Sequence, residues 1–127
     1  IGFRLLGAAP NDESGNSVSG AGDVNNDGID DVIVGAYYAD QTGDSKHGIS
    51  YVIFGRNIPG GAVPFGDIQL TTWATALAPS TGFRILGSAA NDCSGYSVSA
   101  AGDMNGDGID DLLIGAYLAD PPSKDAP

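Results

Sequence analysis

The chain has 127 residues, enough for one small domain, and sets 16 acidic against 5 basic residues for a formal net charge of −11. Such a surface argues against nucleic acid and against anionic membranes, because both need a basic face. One cysteine, Cys93, rules out an intrachain disulfide, and a single histidine, His47, argues against a Cys/His zinc site or catalytic pair.

No segment approaches the ~20 apolar residues of a membrane helix, so membrane insertion is not expected. The chain opens directly on Ile-Gly-Phe-Arg with no visible signal peptide, which is expected if a leader was removed or if the chain is a piece of a longer protein. Twenty glycines and few Lys or Glu favour strands and tight turns over helices.

In chain order, Phe3-Arg4-Leu5-Leu6 is a short apolar run between glycines. Gly15 to Gly20 carries small residues suited to close packing. Asp31-Val32-Ile33-Val34-Gly35-Ala36 is β-branched and continuous, as a strand buried on both faces would be. Gly48 to Gly55 is a further strand with aromatics. Beyond it, Pro59-Gly60-Gly61 reads as a turn, Phe65 to Leu70 as a short extended segment, and Thr72 to Leu77 as a helical turn or a loop. The tail, Pro121 to Pro127, is rich in turn formers and expected to fray. No stretch sustains a 3.6-residue period, so no long helix is expected.

The chain repeats itself. Residues 2–40 align with 82–120 at an offset of 80 without a gap, and 27 of the 39 positions are identical. Such self-similarity points to solenoids, propellers or arrays. The segment Asp23-Val24-Asn25-Asn26-Asp27-Gly28-Ile29-Asp30-Asp31 returns as Asp103-Met104-Asn105-Gly106-Asp107-Gly108-Ile109-Asp110-Asp111, both reading D-x-N-x-D-G-x-x-D. Oxygen-bearing side chains at every second position, with Gly at the sixth, suit a loop that wraps a hard cation such as Ca²⁺. A bare Asx-rich turn is the alternative, since Asn, Asp and Gly favour turns without an ion. An EF-hand fits less well, because its twelfth position needs a bidentate Glu and is here Val34 or Ile114, inside an apolar run. Mg²⁺ suits a cage made wholly of protein poorly.

These residues resemble the FG-GAP repeat of integrin α-subunit β-propellers and of many bacterial surface and secreted proteins. The resemblance runs through Ser14-Gly15-Asn16-Ser17-Val18, Ala21-Gly22-Asp23, the metal loop, Asp31 to Tyr37 and the later Gly48 to Gly55. It recurs in Ser94 to Val98, Ala101-Gly102-Asp103 and Asp111 to Tyr117. Ser-Gly stands where the family has Phe-Gly, Gly-Ala-Tyr where it has Gly-Ala-Pro, and the period is long, which brings the chain closer to the bacterial members.

The resemblance implies an all-β fold of antiparallel β-propeller blades, about one and a half repeats, with the metal loop joining the first two strands of each blade. Residues 1–81 would hold the first repeat, with the outer strand of a preceding blade at Gly2 to Gly7 and a long insertion. Residues 82–127 would hold a second, truncated repeat, with Gly82 to Gly87 completing the first blade. Ca²⁺ is implied at two sites: Asp23, Asn25, Asp27, Asp31 and the Ile29 carbonyl, then Asp103, Asn105, Asp107, Asp111 and the Ile109 carbonyl. Asp30 and Asp110 are expected to point away from the ion.

A propeller needs about 4–8 blades to close. A single chain of this length is therefore expected to be a fragment, or to complete a propeller with further copies. Asn11-Asp12 and Asn91-Asp92 read as turns, Arg4 and Arg84 as partners of nearby acids, Trp73 as an anchor for the insertion, and Tyr37, Tyr38 and Tyr117 as a rim surface. No nucleophile–base pair, phosphate loop or basic–aromatic patch is found, and the clustered carboxylates are assigned to metal.

The leading expectation is a non-enzymatic extracellular or cell-surface module for adhesion to a protein or carbohydrate ligand. A scaffold propeller beside a secreted hydrolase and a self-assembling structural module are the alternatives.

Overall fold

The computed structural model describes residues 2–58 and 66–121. Among them it holds eight strands and no α-helix. The expected turn at Pro59-Gly60-Gly61, the start of the Phe65 segment and the tail beyond Pro121 lie outside the described residues.

β2 (Ser14–Gly22), β3 (Asp31–Ala36), β4 (Ile49–Ile53) and β6 (Gly82–Leu86) form one antiparallel four-stranded sheet in that order. This is a blade, and its outer strand comes from the start of the second repeat, as the resemblance implied. β7 (Ser94–Gly102) and β8 (Asp111–Ala116) form a two-stranded antiparallel sheet that repeats β2 and β3 pair for pair. Val18 opposes Val34 as Val98 opposes Ile114, and both hairpins break register at the same two places. Gly15 and Gly95 stand at the first break with φ of +89° and +90°, a left-handed conformation that glycine adopts without a Cβ penalty.

The expected outer strand of a preceding blade, Gly2 to Gly7, is reduced to β1 (Leu5–Leu6). It pairs in parallel with β5 (Ile68–Gln69), drawn from the insertion. Parallel neighbours need a crossover, and here the crossover is most of the blade. The Arg4 side chain clamps this pairing, with its guanidinium on the Asp67 carboxylate at 2.9 and 2.5 Å while its backbone N–H donates to the same group. Hydrogen bonds from Arg4 hold the Asp67 carboxyl below the usual carboxylate range. The expectation of an acidic partner fails for Arg84, which donates to the carbonyls of Thr72 and Trp73. Its place on β6, beside the insertion, puts those carbonyls within hydrogen-bond reach.

The blade carries apolar packing on both faces. On one, Ala36, Ile49, Tyr51 and Ile53 meet Ile68, Leu70 and Leu77 of the insertion, with Phe3, Leu5 and Trp73 at the margin. Trp73 thus anchors its loop, its ring 5.1 Å from that of His47. On the other face, Ala21, Ile33 and Val52 pack against Val98, with Leu112 and Ile114 beside it. This second cluster joins the two repeats.

The backbones meet closely there: a Cβ built on Gly35 would lie 1.9 Å from the Gly95 carbonyl oxygen. Cys93 is 1 % exposed and is a core residue, its thiol pushed up by burial.

Tyr51 shows the polar cost of such burial. Its ring is fully buried, burial raises its hydroxyl to about 12, and the hydroxyl donates to the Thr71 carbonyl at 2.6 Å. Tyr51→Phe keeps the ring and strands that acceptor. A loss of about 1 kcal/mol is expected in denaturant unfolding, with the folded-state circular dichroism unchanged.

Candidate metal loops and an aromatic face

The two loops between β2 and β3 and between β7 and β8 fold alike and share most of their hydrogen bonds; the Asn25 amide donates to Asp27 only in the first, and Gly106 N–H to Asp103 only in the second. Asp27 N–H and Gly28 N–H donate to the two Asp23 carboxylate oxygens at 3.0 and 2.7 Å, and Asp107 and Gly108 do the same to Asp103 at 3.1 and 2.8 Å. Ile29 N–H donates to Asp27 and Ile109 N–H to Asp107, each at 2.9 Å. Asn25 and Asn105 each accept from the fifth-position N–H at 3.3 Å. These backbone donors, Gly108 first, hold the Asp103 carboxyl low. Gly28 and Gly108 share a φ of +84°, and Asn26 and Gly106 are both left-handed at +59° and +74°.

Among the described residues, no group of three or more His, Cys, Asp or Glu side chains gathers into a cage. The carboxylates are turned onto the loop's own N–H groups. The donor set still fits a hard cation: the ligating atoms named by the sequence are all oxygens. A carboxylate oxygen that accepts one N–H also keeps a second lone pair. Beyond the glycine and its chain neighbours, no atom lies within 4 Å of where a Cβ on Gly28 or Gly108 would stand.

The ninth-position aspartates differ. Asp31 is 1 % exposed and accepts from Val24 N–H at 2.9 Å and from Gly55 N–H, beyond the end of β4, at 2.8 Å. Asp111 accepts from Met104 N–H at 2.7 Å and is only half-buried.

The eighth position also divides. The Asp110 carboxylate leaves its own loop and accepts the Asp23 N–H of the first loop at 3.0 Å, whereas Asp30 is exposed. Pointing away from its own loop was expected of Asp110; bridging to its neighbour was not. Only the packing of one repeat on the other brings the two together.

At the opposite end of β3, roughly 20 Å away for a six-residue strand, aromatic rings of both repeats meet. Tyr37 lies 4.2 Å from Tyr38 and 5.1 Å from Tyr96, and Tyr96 lies 4.2 Å from Tyr117, all between ring centroids. The Lys46 ammonium sits 4.7 Å from the centre of the Tyr38 ring. Tyr96 and Tyr117 stay 42 % and 54 % exposed. Sequence reasoning found Tyr37, Tyr38 and Tyr117 but missed Tyr96, because its counterpart in the first repeat is Asn16 and no repeated signal marks it. Asn11-Asp12 and Asn91-Asp92 serve as turns: Asp12 and Asp92 offer their carbonyls to Tyr38 and Leu118 N–H, and both asparagines have a φ of 67°.

A four-stranded antiparallel blade and a second antiparallel hairpin, each with an acidic loop between its first two strands and packed face to face, define a segment of a β-propeller. The FG-GAP repeat family model matches residues 14–53 and 94–126, more than half of the chain, and the chain belongs to that family. It is 34 % identical over 103 residues to integrin alpha pat-2 of Caenorhabditis briggsae, covering 81 % of this chain and 7 % of the relative. The same figures hold for integrin alpha pat-2 of Caenorhabditis elegans. Integrin alpha-V of Gallus gallus is 30 % identical over 106 residues, which is 84 % of this chain and 9 % of the relative. The chain thus spans less than a tenth of the length of these curated relatives.

Proposed function

We propose that this chain is a calcium-braced segment of an integrin-like propeller from an extracellular or cell-surface protein, and that it binds a partner rather than catalysing a reaction. What carries the reading is that the two acidic loops share the same backbone-to-side-chain hydrogen bonds at the first, third and fifth positions, each with its side-chain oxygens turned onto the loop. Asp23, Asn25, Asp27, Asp31 and the Ile29 carbonyl would hold one cation, and Asp103, Asn105, Asp107, Asp111 and the Ile109 carbonyl the other. Bound Ca²⁺ supplies charge that offsets crowded carboxylates and pins the hairpin. The chain's own residues supply the turn and the hydrogen bonds that orient those carboxylates. The cluster of Tyr37, Tyr38, Tyr96 and Tyr117 supports a binding role at the opposite end of the strands, since exposed tyrosines combine apolar area with a polar tip. The Ser14-Gly15 and Gly35-Ala36-Tyr37 variants support a bacterial parent.

An affinity on the order of 10⁻⁴–10⁻³ M suits an extracellular module. The test is a thermal melt in excess chelator and in rising Ca²⁺. At a concentration 100 times Kd, each occupied site adds about 2.7 kcal/mol, so the midpoint should climb by several degrees. A melt indifferent to both would leave the loops as bare turns.

A further inference from the structure

The two acidic loops touch through a residue that belongs to neither ligand set. Asp110 stands between Ile109, whose carbonyl is assigned to the second cation, and Asp111, whose carboxylate is assigned to the same ion. Its side chain crosses to the other repeat and accepts the Asp23 N–H of the first loop at 3.0 Å. Asp23 opens that loop, and its two carboxylate oxygens accept Asp27 N–H at 3.0 Å and Gly28 N–H at 2.7 Å.

The contact has a seat made for it. Asp110 is half-buried, and its carboxylate lies over Gly22, where a Cβ would collide with its Oδ2 and stand only 2.7 Å from its Cγ. Gly22 pairs across the hairpin with Asp31, the ninth position of the first loop. The space that admits Asp110 therefore adjoins both ends of that loop. Gly102, in the same place in the second repeat and with the same φ of +67°, has nothing within 4 Å beyond its chain neighbours. The loop fold thus needs no occupant there, and the bond to Asp23 is an added tie.

We propose that Asp110 couples the two cation loops, so that filling the second raises the affinity of the first. The inference rests on the calcium reading above and adds a positioning residue to it. With an ion in the second loop, the Ile109 carbonyl and the Asp111 carboxylate are both engaged, which fixes the backbone on either side of Asp110. A fixed Asp110 carboxylate holds the Asp23 N–H, and with it the first ligand of the other loop, before an ion arrives there. Ligands ordered in advance bind more tightly, because less freedom is lost on binding. The effect is reciprocal: the first loop, once filled, favours the second by the same factor. Repulsion between the two ions opposes it, and is damped beyond a Debye length of about 8 Å at physiological salt.

Amide NMR of the full chain, titrated with Ca²⁺ in about 0.15 M salt, reads the loops separately through the Gly28 and Gly108 cross-peaks. Asp103→Ala disables the second loop, with Asn105→Ala as a milder variant of the same kind, and Asp110→Ala removes the tie. Peak dispersion checks that each variant folds. Asp103→Ala and Asp110→Ala should each weaken binding at Gly28 by about tenfold, and the double variant should weaken it no further. Asp110→Asn keeps an oxygen that accepts the Asp23 N–H, so it should stay within about threefold of wild type. The coupling is overturned if Asp103→Ala and Asn105→Ala leave the Gly28 titration unchanged, or if the two losses multiply in the double variant. It is also overturned if Asp110→Asn loses as much as Asp110→Ala, since charge alone would then explain the effect. No shift at either glycine would overturn the calcium reading itself, whereas independent binding at both would overturn the coupling and leave that reading standing.

Discussion

Gly35→Ala is expected to cost about 3 kcal/mol or more, at the upper end of overpacking effects. The new methyl would meet the Gly95 carbonyl oxygen at 1.9 Å, with the Gly95 carbonyl carbon at 2.9 Å and a Val98 methyl at 3.3 Å. None of these is the free end of a flexible side chain that could swing aside. The two repeats must separate locally, and the cluster of Ile33, Val52 and Val98 opens with them. Gly115→Ala is the internal control. It occupies the same place in the second repeat, where the nearest atom is a Ser97 Cβ at 3.4 Å, so a change within about 0.5 kcal/mol is expected. Denaturant midpoints of the two variants decide the matter. Equal losses would mean that Gly35 matters for strand geometry alone, and that the repeats do not pack as described.

Asp31→Ala and Asp111→Ala should likewise differ. Removing Asp31 strands two part-buried N–H groups, those of Val24 and Gly55, and breaks the tie between the first loop and the third strand of the blade. Hydrogen bonds to a charged group are worth about 1.5–3 kcal/mol each, so a loss of about 3–5 kcal/mol is expected. Asp111 holds the single N–H of Met104 in a half-exposed setting, and its removal should cost about 1–2 kcal/mol. Measured in chelator, this asymmetry reports the hydrogen bonds alone. Measured in Ca²⁺, both variants should lose in addition whatever stabilisation their loop draws from the ion. Identical losses in chelator would remove the bridging role of Asp31.

Both predictions concern positions that occur twice in nearly the same sequence, and this marks where sequence reasoning reached its limit. The strands Asp31–Ala36 and Asp111–Ala116, the loops that precede them and the return of the unit after 80 residues were all legible. Each is set within a few residues: β-branched runs favour extended backbone, and Asx side chains with glycine close a turn by local hydrogen bonds. The strand order β2-β3-β4-β6 was legible too, through the family resemblance.

The parallel pairing of Leu5–Leu6 with Ile68–Gln69 was not, because it depends on contacts more than 60 residues apart. Nor was the carbonyl capture by Arg84, which a repeat of Arg4 had suggested would find an acid. Tyr96 joined the aromatic face only because its strand lies beside Tyr37.

The amino-acid sequence by itself determined the local grammar of this protein: two acidic loops, the hairpins they close, and an all-β repeat. Those features follow from dihedral preference and from side chains reaching their own backbone. Tertiary structure alone decided which of two equivalent residues is core and which is surface. Val18 and Val98 are the same amino acid in the same strand context, yet one is exposed and the other buried. Asp30 and Asp110 divide in the same way between solvent and a bond to the neighbouring loop. Burial is a property of what lies opposite, and in a stacked repeat only the order of stacking supplies that.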